Sequence, residues 1–148
     1  MINLRMFFII AVILLSANQD AIAGSFTDNG NGTVTDSNTG LMWQKEDDDV
    51  TRTWESAITY CEGFSLGSYS DWRLPNIKEL ESITDDTKYS PAIDSTYFSN
   101  TNSSGYLSST TYASASSFAW IVGFDNGFVY YVASKSSSYY VRCVRGGQ

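Results

Sequence analysis

Cys61 and Cys143 are the only thiols in the chain of 148 residues, and no histidine accompanies them. A thiol becomes a nucleophile or a metal ligand when a base or further ligands stand beside it. Without histidine, the usual base of serine and cysteine triads and the commonest nitrogen ligand of zinc are both missing. What remains for the two sulfurs is to bond to each other, which needs an oxidising compartment. Such a bridge closes a loop of roughly 80 residues, and the chain-entropy model gives it about 4 kcal/mol of stabilisation.

The carboxylates offer less. Asp85 and Asp86 are adjacent acids of a kind that can share acid–base work, and Asp47, Asp48 and Asp49 form a run, but acids clustered in turns are read as solvated. Asp28, Asn31 and Asp36 interleave oxygen ligands with glycine as calcium sites do, yet the spacing lacks the late glutamate of a full calcium loop, and turn chemistry accounts for it. No glycine-rich phosphate cradle precedes a helix. The expectation is a non-enzymatic protein with no cofactor and no bound metal.

Binding chemistry is concentrated further on. From Ser103 to Val141 the chain is rich in serine and tyrosine, and its only charged residues are Asp125 and Lys135. Tyrosine brings a large amphipathic surface with few rotatable bonds, and serine brings small, adaptable hydrogen bonding. Tyr106, Tyr112, Tyr130, Tyr131, Tyr139 and Tyr140 are the candidate ligand-binding residues. The competing account is that these tyrosines only complete a sheet, since aromatic side chains favour strands.

The compartment is read from the start of the chain. Arg5 leads into the apolar run Met6 to Leu15, followed by a polar stretch ending Ala21-Ile22-Ala23. That is the pattern of a signal peptide over residues 1–23, with a small-x-small cleavage site. The apolar run is too short for a spanning helix, which needs roughly 20 residues. The expected product is one domain over residues 24–148, exported to the periplasm, the cell surface or the medium, with no membrane insertion after signal removal. Its formal charge of −7 disfavours nonspecific binding to nucleic acid or anionic lipid. Sulfated glycans are disfavoured too, unless Arg73, Lys78, Lys135, Arg142 and Arg145 gather into a patch.

The elements that would position these residues follow from turns and periodicity. Phe26 to Asp36 carries β-branched residues around an Asn/Gly cluster, a hairpin pattern, and Leu41-Met42-Trp43 reads as a short buried strand. Trp54, Ala57, Ile58 and Cys61 make the stripe of a helix that Thr53 can cap, with Gly63 and Gly67 ending it. Asn76 and Glu79 form an amide-headed capping box for a second helix buried along Ile77, Leu80 and Ile83, with Lys78, Glu79 and Glu81 mostly on its wet side. Phe118, Trp120, Val122 and Phe124 alternate up to Asp125-Asn126-Gly127, and Phe128 to Val132 returns. Tyr139 to Val144 reads as a last strand. Trp54, Trp72 and Trp120 are expected in the core.

Several separated motifs carry a resemblance: Phe26-Thr27-Asp28 through Gly32-Thr33-Val34-Thr35-Asp36, Thr39-Gly40-Leu41-Met42-Trp43-Gln44, Asp71-Trp72-Arg73-Leu74-Pro75, Ser108-Ser109-Thr110 and Val141-Arg142-Cys143-Val144-Arg145-Gly146. Their order resembles the Lcl C-terminal domain family, named for collagen-like bacterial adhesins. Where members carry tryptophan before Ser-Ser-Thr, this chain has Leu107. The family is similar in turn to C-type-lectin-like domains, in which a helix near the start is disulfide-bonded to the final strand, as Cys61 and Cys143 would be. The resemblance therefore implies an α+β, C-type-lectin-like fold, with two helices packed on short antiparallel sheets and one disulfide. The loops that hold calcium and sugar in true C-type lectins are missing.

Formylglycine-generating enzymes share that broad fold, and Arg73-Leu74-Pro75 with Glu79 is similar to one of their segments. Their chemistry looks to need two nearby closing cysteines, whereas here Arg142-Cys143 is preceded five residues earlier by Ser138. The expectation is thus an adhesion or ligand-binding module for a glycan or a surface protein. An enzyme or enzyme accessory of the formylglycine group and a structural module of the cell surface are the alternatives, and homo-oligomerisation stays open.

Overall fold

Short hairpins built on Asn/Gly turns open the described part of the chain. The computed structural model describes residues 26–147, so the expected signal peptide lies outside the described residues. Strands β1 (Phe26–Asp28), β2 (Thr33–Asp36) and β3 (Leu41–Gln44) form an antiparallel meander. Asp28, Asn31 and Asp36 serve its turns: Asp28 accepts the Gly30 amide at 3.0 Å, Asn31 the Thr33 amide at 3.3 Å, and Asp36 the Asn38 amide at 2.9 Å. Such side-chain-to-backbone bonds two residues ahead are what Asp and Asn contribute to turns.

The helices follow as α1 (Trp54–Glu62) and α2 (Ile77–Glu81). Thr53 occupies the N-cap of α1 without a side-chain cap bond, its hydroxyl going instead to Ser56 at 3.0 Å. Asn76 does cap α2, completing the reciprocal box with Glu79. Glu79 is not the wet-side residue that helical spacing suggests, because Arg73 grips its carboxylate with two hydrogen bonds of 2.7 Å.

A second antiparallel sheet has the order β4 (Gly105–Thr111), β5 (Phe118–Gly123), β6 (Phe128–Ser134). The β5–β6 hairpin turns where Gly127 takes a left-handed φ of +80°, a conformation that glycine adopts without steric cost. The closing strand β7 is only Val144–Arg145 and adds to the first sheet beside β3. The expected longer strand from Tyr139 fails, because Arg142 and Cys143 turn to other partners. The Cys143 amide donates to the side chain of Gln44 at 3.0 Å.

Two buried clusters form on opposite faces of the β4–β5–β6 sheet. Ile121 and Ala133 join α1 residues Ala57 and Cys61, while Tyr106, Val122 and Phe124 join Leu80 and Ile83 at α2. Alternation along β5 separates the two sets. Cys61 and Cys143 are bonded to each other, with Cα atoms 5.5 Å apart and a sequence separation of 82. The described chain is therefore α+β, with two short helices, antiparallel sheets and one disulfide.

Candidate functional site

The six tyrosines do not act together. Tyr106 is 0% exposed and is corrected from ligand candidate to core residue. Its hydroxyl donates to the Asp47 carboxylate and accepts from the Asn102 amide at 2.9 Å, and its ring stacks on Tyr140 at 5.5 Å. Burial and the adjacent carboxylate push the Tyr106 phenol up, despite the opposing pull of Arg142. Tyr140 packs against the same cluster as Tyr106. Tyr130 and Tyr139 pack against the α1 cluster, and the Tyr130 hydroxyl accepts from Asn126 at 2.6 Å.

Asp47 is a further correction. The acidic run reads as an exposed loop, yet Asp47 is buried and pairs with Arg142, whose side chain is fully enclosed. Arg142 also donates to the carbonyls of Gln44 and Lys45 and, at 2.9 Å, to the Thr101 hydroxyl. It thereby ties the end of β3 to the closing segment. Burial pushes the Arg142 guanidinium down from its ordinary value, while Tyr106 and Asp47 oppose that shift.

Tyr112 and Tyr131 do come together. Their rings stack at 4.8 Å with 25° between planes, and Trp120 presents an edge to both, at 5.6 Å to Tyr112 and 5.7 Å to Tyr131. Trp120 is corrected from core residue to half-buried surface residue: it belongs to neither buried cluster. It alternates with inward-facing Ala119 and Ile121, so it shares a face with Val122. At Val122 that face is covered by α2. The short helix leaves the far end of the sheet to the three rings, and Tyr131 is 49% exposed there.

Sheet geometry aids this placement. The β5–β6 register shifts between Ala119 and Ile121, where the two β5 steps oppose three on β6. An extra residue of this kind bends a strand and re-aims its side chains. No hydrogen bond engages the phenol groups of Tyr112 and Tyr131 among the described residues, leaving both as donors and acceptors beside aromatic faces. The sequence alternation identifies the strand face of Trp120 but not where α2 stops covering it.

Four of the five cations that could have made a basic patch are paired with carboxylates. Arg73 pairs with Glu79, Lys78 with Glu81, Arg145 with Asp71 and Arg142 with Asp47. Leu107, which precedes Ser108-Ser109-Thr110, is fully buried in the α1 cluster.

Residues 32–145, from the turn before β2 to the end of β7, match the Lcl C-terminal domain. No curated protein matches the chain. The chain belongs to the Lcl C-terminal domain family.

Proposed function

We propose that this member of the Lcl C-terminal domain family is an exported, non-enzymatic binding module of C-type-lectin-like architecture, presented as a bacterial surface, periplasmic or secreted protein. Its ligand, a glycan or a surface protein, lies on the platform of Tyr112, Trp120 and Tyr131. The observation that carries this reading is the three-ring contact on an otherwise uncovered end of the sheet. Aromatic faces stack on the C–H faces of sugars or on apolar side chains, and phenol hydroxyls orient the polar part.

Two features favour binding over catalysis. The only two cysteine sulfurs are bonded to each other, so neither stands ready as a nucleophile. The buried carboxylate of Asp47 and the partly buried one of Glu79 are each held by an arginine.

The test is a glycan array and a surface-protein capture with the exported protein and its Trp120→Ala and Tyr131→Ala variants. Loss of binding is expected while both variants stay folded, with melting temperatures only a few degrees below the wild type. Full retention of binding by both variants would remove the platform from the proposal.

A further inference from the structure

A second cleft lies where the start of α1 meets the Phe118–Ser134 end of the β5–β6 pair. Thr53, Glu55, Ser117, Ser134, Lys135 and Ser136 line a cleft of about 420 Å3, within the range of small-molecule sites, which begins at about 300 Å3. Its walls are tied together. The Lys135 amide donates to the Ser117 carbonyl at 2.9 Å, and the Trp54 amide donates to the Lys135 carbonyl at 3.1 Å.

The two charged residues that line this cleft form no ion pair among the described residues. Seven of the eight described cations lie within ion-pair distance of a carboxylate; Lys135 is the exception. Its ammonium is fixed by the Thr111 hydroxyl at 2.8 Å and by the Trp54 ring, whose centroid lies 3.8 Å away. Those contacts hold the group in place without neutralising it. Glu55 likewise forms no ion pair among the described residues and is exposed at the cleft.

We propose that this cleft binds a free α-amino acid. One uncompensated cation and one uncompensated anion, set among four hydroxyl side chains, complement a small molecule that carries both charges. The ligand carboxylate pairs with Lys135, its ammonium pairs with Glu55, and serine and threonine hydroxyls complete the hydrogen bonding. A formal charge of −7 on the chain opposes the approach of a free anion but not of a zwitterion with no net charge. The cleft shares no lining residue with the aromatic platform, and Thr111, which fixes Lys135, pairs in register with Ala119 on the sheet face opposite Trp120.

Amide-resolved NMR titration of the exported protein with L-alanine tests the assignment. The amides of Thr53, Glu55, Ser117 and Ser136 should shift saturably, with a dissociation constant of about millimolar order. Acetate and methylammonium, each carrying one charge, should bind about ten-fold more weakly or worse, and Lys135→Gln and Glu55→Gln should each weaken L-alanine by a similar factor. Trp120→Ala should leave the titration unchanged, which separates failure here from failure of the platform. Glu55 is exposed, so its variant stays informative even if Lys135→Gln does not fold. The proposal is overturned if L-alanine gives no saturable shift, if acetate binds as tightly, if Glu55→Gln titrates like the wild type, or if the dipeptide alanyl-alanine binds more tightly than alanine.

Discussion

Arg142 and Asp47 face each other at 3.3 Å with side chains 0% and 1% exposed, although 95 residues separate them in sequence. Charges so far from water persist only when paired and hydrogen-bonded. Tyr106 and Thr101 supply the additional hydrogen bonds.

Breaking this pair from one side should be severe. Asp47→Ala leaves a buried guanidinium without its counter-charge and is expected to cost about 3–5 kcal/mol in urea unfolding. Tyr106→Phe removes only the hydroxyl and leaves both charges paired, so its cost should be nearer 1–3 kcal/mol, about that of an unsatisfied buried partner. Equal effects from the two variants would show that the ion pair is not the centre of the network.

The tryptophans should separate into two classes. Trp43 is fully buried in the larger cluster, and Trp43→Ala is expected to cost about 3–5 kcal/mol. Trp120→Ala loses two ring contacts on a half-open surface and should cost about 1–2 kcal/mol. Thermal melts of the two variants measure the difference, and an equal loss would return Trp120 to the core.

Local patterns in the sequence anticipate much of this fold because their physics is local. The Asn76–Glu79 box, the α1 stripe ending at Cys61 and the turn at Asp125-Asn126-Gly127 need only neighbouring residues to be read. Asp47 was illegible for the opposite reason: an acidic run resembles a solvated loop until a partner 95 residues away closes over it. The tyrosines fail similarly, since this sheet is packed on both faces near Tyr106 and on only part of one face near Tyr131. Alternation assigns a face, and only the length of α2 decides which end of that face remains open.

Glu79 gives stability a pH dependence. Burial raises its carboxyl, but the bonds from Arg73 and the Asn76 amide outweigh burial and hold it below the ordinary value. A carboxyl depressed on folding contributes fully above its unfolded pKa, about 4.3, and loses that contribution as pH falls through the lower folded value. Glu79→Gln keeps a capping side chain and removes the charge. The variant should be less stable than the wild type by about 1–2 kcal/mol at neutral pH, and the gap should close as pH falls below about 4. A gap that stays constant in acid would assign the effect to packing.

Divalent ions should not matter to the folded state. Asp28, Asn31 and Asp36, whose spacing first suggests calcium, already have their oxygens engaged: Asp28 also pairs with Lys45 at 2.7 Å, and Asp36 accepts the Thr39 hydroxyl at 2.6 Å. A cation bound there would have to displace these bonds, and any ion that binds only the folded chain raises stability by mass action. Melting the exported protein with and without chelator should therefore give the same transition within about 1 °C, since a difference of 1 kcal/mol in a domain of this size moves the midpoint by several degrees. A fall of several degrees on chelation that calcium restores would contradict this, and Asp28→Ala and Asp36→Ala would then identify the ligands.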